Sequence, residues 1–151
     1  VAVIVTKENT AKTGSVVLTK EDSVTKATIA GAEFDLQKAD GTKVSENLVT
    51  DADGKIEAND LAPGDYQFVE TKAAAGYVLD ATPSEFTIEF NQDKAAVVTK
   101  ENTAKSGSVV LTKQDSATKA ALSDAEFELQ TATGTKVKDN LTTNASGEIE
   151  V

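Results

Sequence analysis

Three separate stretches of this chain return after one common interval. "VTKENTAK" stands at 5–12 and again at 98–105, "AEFDLQ" at 32–37 returns as "AEFELQ" at 125–130, and "GTKVSENL" at 41–48 returns as "GTKVKDNL" at 134–141. Each pair is offset by 93 residues (98 − 5, 125 − 32, 134 − 41). A period of that length exceeds a solenoid unit and suits a tandem array of autonomous domains. On this frame the chain holds the last strand of one repeat (1–9), one complete repeat (10–103) and the first half of the next (104–151). The opening "VAVIVTKENT" reads as a strand already under way, so the chain is expected to be an excerpt of a longer protein.

Inside the complete repeat, turn signals separate short alternating runs. "SVVLTK" (15–20) puts Val16, Leu18 and Lys20 on one face, and "AEFDLQ" does the same with Ala32, Phe34 and Leu36. "ADGT" (39–42) precedes "KVSENLVT", and "DADG" (51–54) precedes "KIEA". "APGD" (62–65) leads into "YQFVE", with Tyr66, Phe68 and Glu70 on one face. "SEFTIEF" (84–90) aligns Phe86, Ile88 and Phe90, and "NQDK" turns into "AAVVTKEN" (95–102). These seven strands, without a helical pattern, predict an all-β fold built as a two-sheet sandwich.

Composition narrows the function classes. Hydrophobic residues make up 39% of the chain, which supports a modest core. The net charge is −10 and no Lys/Arg-rich block exists, so neither nucleic acid nor an anionic membrane surface is expected as a partner. Cys, His, Met and Trp are all missing. Disulfides, Cys/His metal sites and imidazole-dependent catalytic triads are therefore excluded, and no cofactor or metal is expected. "DADGKIEAND" resembles part of a calcium loop, but with Gly54 at the sixth position the first would be Val49, which has no ligating side chain. A hairpin turn is the expectation there. Asn140-Leu-Thr and Asn144-Ala-Ser match the glycosylation sequon, a short pattern common by chance.

Two charged residues fall where apolar ones belong. Lys20 shares parity with Val16 and Leu18, and Glu70 with Tyr66 and Phe68. Burying either ion alone would cost several kcal/mol. Burial therefore drives an amine and a carboxyl group toward their neutral forms, a nucleophile and a proton donor. The bland alternatives are an edge-strand lysine that snorkels to water and a strand-end acid at the surface.

The set "GSVVLTKED" (14–22), "AGAEFDL" (30–36), "APGDYQFVETKAAAGY" (62–77) and a last strand ending in "ENT" (101–103) resembles the B-type repeat of collagen-adhesin (Cna) surface proteins and the shaft domains of Gram-positive pilins. The resemblance covers 14–103, and the first half of the motif set recurs in 107–151. It implies an immunoglobulin-like or prealbumin-like sandwich in which a first-strand lysine is joined to a last-strand asparagine through an isopeptide bond, promoted by a buried glutamate. Carried onto this chain, the lysine is Lys20, the glutamate Glu70 and the best-placed asparagine Asn102, with Asn91, at a turn, as the competitor. Two departures stand out. Glu70-Thr-Lys-Ala-Ala74-Ala-Gly-Tyr77 lacks the proline of the family's E-x-x-A-P-x-G-Y, and Lys100 sits two residues before Asn102 where an apolar side chain is expected. By the 93-residue offset, Asn9 corresponds to Asn102 and Lys113 to Lys20, while the second glutamate would fall at position 163.

The resemblance further implies a structural stalk repeat of an extracellular, wall-anchored adhesin or pilin-like protein. Its crosslink would form by a single self-directed reaction rather than by turnover. Its partners would be adjacent repeats, with host extracellular matrix met through another domain. The alternatives are a module that itself grips a matrix protein or carbohydrate, and a paired-carboxylate hydrolase, for which no acidic pair outside the turns stands out.

Overall fold

The computed structural model describes residues 2–151, which divide into two compact units: unit 1, residues 2–105, and unit 2, residues 106–151. Unit 1 contains seven strands: β1 (Gly14–Asp22), β2 (Glu33–Lys38), β3 (Lys43–Val49), β4 (Lys55–Leu61), β5 (Gly64–Lys72), β6 (Ser84–Ile88) and β7 (Ala96–Asn102). They form a three-stranded sheet, β4-β1-β7, and a four-stranded sheet, β3-β2-β5-β6. The repeat is thus a two-sheet sandwich with the strands at the positions that the alternation and turn signals predict.

The core follows from period-two alternation. β1 contributes Val16 and Leu18, β2 Phe34 and Leu36, β5 Tyr66 and Phe68, and β7 Val98, all buried in one cluster. Phe68 is central. Its ring meets Phe34 edge-on at 6.3 Å and stacks on Phe86 at 5.4 Å. Such pairs add about 0.5–1.5 kcal/mol each beyond area burial. One expected core residue lies elsewhere. Phe90 is 75% exposed, because β6 ends at Ile88 and the chain then turns away through Asn91 in a left-handed conformation (φ 60°).

The pairing of β1 determines the site. β1 lies between β4, which runs antiparallel, and β7, which runs parallel to it with Val16 opposite Ala96, Lys20 opposite Lys100 and Asp22 opposite Asn102. First and last strands are therefore direct neighbours. The parallel arrangement carries both chains toward the same end of the sandwich, where Lys20, Asp22, Lys100 and Asn102 gather.

The "DADG" segment is a tight turn but not the expected hairpin, because it carries the chain from β3 in one sheet to β4 in the other and the two strands do not pair. Gly54 N–H donates to the Asp51 carbonyl, and the Asp51 carboxylate accepts the N–H groups of Asp53 and Lys55. Gly54 also accepts the Lys20 N–H at 2.8 Å, which anchors β1 beside the buried lysine. Its φ is +72°, and a Cβ here would lie 2.9 Å from both Ile29 N and Lys20 O. Gly54→Ala combines a left-handed strain with a backbone collision. It should destabilise unit 1 by about 2–4 kcal/mol. Urea unfolding followed by tyrosine fluorescence measures this selectively, since both tyrosines, Tyr66 and Tyr77, lie in unit 1.

Unit 2 pairs β8 (Val110–Thr112) with β11 (Glu148–Glu150), and β9 (Glu126–Gln130) with β10 (Lys136–Thr142). It repeats the local geometry of unit 1 at the 93-residue offset. Lys113 N–H donates to Gly147 as Lys20 does to Gly54, and left-handed residues recur at Lys119, Asn140, Gly134 and Gly147, the equivalents of Lys26, Asn47, Gly41 and Gly54. Leu111, Phe127 and Leu129 are only half-buried, whereas their counterparts Leu18, Phe34 and Leu36 are fully buried. In unit 1 these counterparts share a cluster with Phe68 and Val98. Residues 106–151 contain no strand equivalent to β5 or β7.

Residues 2–13 form no strand and are all exposed. The equivalent segment β7 draws all its ladder bonds from a neighbouring first strand, so a lone stretch of this sequence has no partner to pair with.

Candidate functional site

The buried positions of β1 are Val16, Leu18, Lys20 and Asp22, a single inward face that begins apolar and ends charged. Lys20 is 0% exposed and Glu70 1%. Neither surface alternative holds: β1 is the central strand of its sheet, so its lysine has no edge over which to snorkel, and Glu70 continues the buried row of Tyr66 and Phe68 on β5. Asn102 ends β7 and is 3% exposed. The three residues thus come from three strands in two sheets.

Glu70 and Asn102 meet directly. The Asn102 Nδ2 donates to Glu70 Oε1 at 2.8 Å and to Oε2 at 3.0 Å. The backbone N–H of Asp80 adds a third donor to Oε2 at 2.9 Å. The Asn102 Oδ1 is buried and has no hydrogen-bond partner among the described residues. Amide oxygen and nitrogen are interchangeable in shape, so either can face the carboxyl group.

Lys20 is poorly satisfied as a cation. A charged ammonium carries three donors. Here Nζ donates to a single acceptor among the described residues, the Lys100 carbonyl, at 3.3 Å. Burial pushes the Lys20 pKa below its ordinary value. The Glu70 carboxylate opposes that shift, and the Lys100 ammonium reinforces it. The site therefore weakens the hold of this amine on its proton, on the strand beside Asn102.

Asp80 and Asp22 escaped the sequence reading, and Lys100 stood out only as a departure from an apolar row. Lys100 is buried, yet its ammonium finds Asp80 Oδ2 at 2.7 Å and the Thr82 carbonyl at 2.8 Å. That ammonium, together with Thr82, holds the Asp80 carboxyl far below the usual carboxylate range. Asp22, next inward after Lys20, accepts the N–H groups of Val24 and Thr25 and so closes the turn after β1. Those bonds keep its pKa below the ordinary value. The parity of Asp22 with Lys20 could have identified it, but Asp80 lies in a connection without periodicity. The "AAAGY" loop packs on the end of β7: Val78 N–H donates to the Thr103 carbonyl, and Lys105 N–H to Gly76.

The other candidate positions lie apart from this cluster. Asn91 is exposed in its turn and Asn9 is exposed in the segment before β1. Lys113 is half-buried in unit 2.

Comparison with known proteins places this architecture. The family model of the SpaA prealbumin-like fold domain matches residues 14–104 and again 107–151. A collagen adhesin of Staphylococcus aureus is 35% identical over 101 residues, covering 63% of this chain and 8% of the adhesin. Among solved structures, the TIE protein of Bacillus anthracis superposes with a TM-score of 0.70 at 27% identity, over 92% of this chain and 26% of that one. The major pilin subunit BcpA of Bacillus cereus is 39% identical with a TM-score of 0.55, over 68% of this chain and 31% of the pilin. The chain thus spans a minor part of each of these relatives. With two matches of one family model set 93 residues apart, an all-β sandwich and pilin and adhesin relatives, the chain belongs to the SpaA prealbumin-like family, the Cna B-type domains of Gram-positive surface proteins.

Proposed function

We propose that unit 1 is a stalk repeat of a Gram-positive cell-surface adhesin or pilin-like protein, stapled by an isopeptide bond between Lys20 and Asn102. The observation that carries this reading is a buried, under-bonded amine on the strand paired with that of Asn102, whose carboxamide is in turn held against a buried carboxyl group. The neutral Lys20 amine attacks the Asn102 side-chain carbonyl carbon. Glu70 accepts a proton from the attacking nitrogen and delivers one to Nδ2. The carbon–Nδ2 bond breaks, ammonia leaves, and an amide joins the two side chains. Fixed proximity and a dry site supply what an unactivated carboxamide lacks in water.

The topology suits a load-bearing role. β1 and β7 are parallel neighbours in register over seven residue pairs. Tension applied at the start of β1 and the end of β7 acts along both strands in shear. A bond from Lys20 to Asn102 closes a covalent path that leaves most of residues 21–101 outside the line of force. On the same reading, residues 1–9 are the last strand of a preceding repeat, 10–103 a whole repeat and 104–151 the start of another. Asn9 and Lys113 then belong to crosslinks completed by neighbouring sequence. An extracellular, wall-associated location follows, with adjacent repeats as the immediate partners.

Intact mass spectrometry of the full 151-residue chain under denaturing conditions tests the reading. The expected mass is one ammonia below that of the sequence, with a digest linking the peptides of residues 20 and 102. A folded chain with its full sequence mass refutes it.

A further inference from the structure

Lys100 and Asp80 take no part in the bond-forming steps above, yet they touch the groups that do. Lys100 sits between Val98 and Asn102 on the inward face of β7, a position where an apolar residue would be cheaper to bury. Its ammonium is instead spent on Asp80 and Thr82 in the β5–β6 connection. Its main-chain carbonyl accepts the Lys20 Nζ. Asp80, in turn, gives its backbone N–H to Glu70 Oε2.

We propose that Lys100 and Asp80 are positioning residues for the crosslink, their ion pair clamping segment 78–82 onto β7 so that Glu70 is fixed against Asn102 while the Lys100 carbonyl holds the Lys20 amine. The inference rests on the crosslink reading and deepens it. The clamp has two points of attachment along β7. Val78 N–H bonds the Thr103 carbonyl on one side of Asn102, and the Asp80–Lys100 pair holds the other. Loss of the ion pair frees the end of the segment that carries the N–H directed at Glu70. Asp80 is half-exposed, so the carboxylate keeps part of its hydration and the burial cost falls mainly on Lys100. An isolated pair of this type adds little net stability. Its worth is geometric.

The charges around Lys20 yield a readout that a merely structural prop would not move. The amine is faced by Glu70 from β5, by Lys100 and more distantly Glu101 from β7, and by Asp80 from the connection. Asp22 lies next on its own strand, and β4 presents Ile56. In Lys100→Met the Asp80 carboxylate loses its counter-ion near Lys20, and the amine keeps its proton to higher pH. In Asp80→Asn the Lys100 cation is no longer neutralised, and the amine loses its proton at lower pH.

Full-length chains synthesised in a cell-free reaction at a series of pH values, quenched at intervals and weighed intact, report ammonia loss directly. The expected result is a loss slowed roughly tenfold to a hundredfold in both variants. The pH midpoint of the rate should move up for Lys100→Met and down for Asp80→Asn, and Lys100→Arg should recover most of the wild-type rate. Tyrosine circular dichroism establishes that each variant is folded. If Lys100→Met does not fold, Asp80→Asn against Lys100→Arg carries the same comparison. Wild-type rates in the folded variants overturn the inference, as do slowed rates with unmoved midpoints and no recovery by arginine. A wild-type chain that keeps its ammonia overturns the crosslink reading itself, an outcome distinct from either.

Discussion

Lys20→Met should retain the Asn102 carboxamide and melt about 20–30 °C below the wild-type chain. The residues joined by the proposed bond are 82 positions apart (102 − 20). Loop-closure entropy for a segment of this length is worth about 4–5 kcal/mol if the reasoning used for disulfides transfers. For a domain of this size each kcal/mol moves the midpoint by about 4–8 °C. Methionine is the instructive replacement because it fills the unbranched space of a fully buried lysine without a donor. The comparison therefore isolates the staple from the cavity that alanine would leave. Differential scanning calorimetry, with near-ultraviolet circular dichroism at Tyr66 and Tyr77 to assign the transition to unit 1, measures the loss. A melting curve that superposes on wild type would show that no bond forms at Lys20.

The strands were legible because the signals that make them are local. Alternation in "SVVLTK" and "YQFVE" and turn residues in "DADG" and "APGD" act within a few positions, and the structure places β1, β4 and β5 accordingly. The same alternation exposed Lys20 and Glu70 as misplaced charges, since a period-two pattern leaves no doubt about which face a residue shares. What the pattern does not encode is pairing. The parallel contact of β1 with β7 joins residues about 80 positions apart, and nothing in either strand alone specifies it. Asp80 was missed for a related reason. It belongs to a connection held by Val78, Asp80 and Thr82 contacts to other elements, and its significance exists only once Lys100, twenty residues on, is beside it. Lys100 itself looked like a defect in an apolar row, and only the ion pair shows how the defect is accommodated. Phe90 erred the opposite way: it continues the parity of Phe86 and Ile88, but the strand stops two residues earlier.

Glu70→Gln should fold and yet fail to release ammonia at an appreciable rate, with crosslinking slowed by about 10²–10⁴-fold, the usual span for loss of a positioned proton-transfer group. Glutamine retains the side-chain shape and one carbonyl oxygen for the Asp80 and Asn102 donors now shared between Oε1 and Oε2. It lacks a site that can both take a proton from the Lys20 nitrogen and return one to the leaving Nδ2. The trapped chain also carries a pH signature with a determined sign. Burial holds the Lys20 pKa below its ordinary 10.5, and the Glu70 carboxylate is the largest influence raising it. With that charge gone, the folded chain binds a proton at Lys20 less readily still, while the unfolded chain binds it normally. Between the folded value and 10.5 the unfolded state therefore holds more protons, and the stability of Glu70→Gln should rise with pH across that window. Lys20→Met has no amine to titrate there and should show no such rise. Urea titrations of the two variants at stepped pH compare them directly. A flat profile for Glu70→Gln would mean that its Lys20 amine is not the buried, proton-poor group on which the bond-forming step depends.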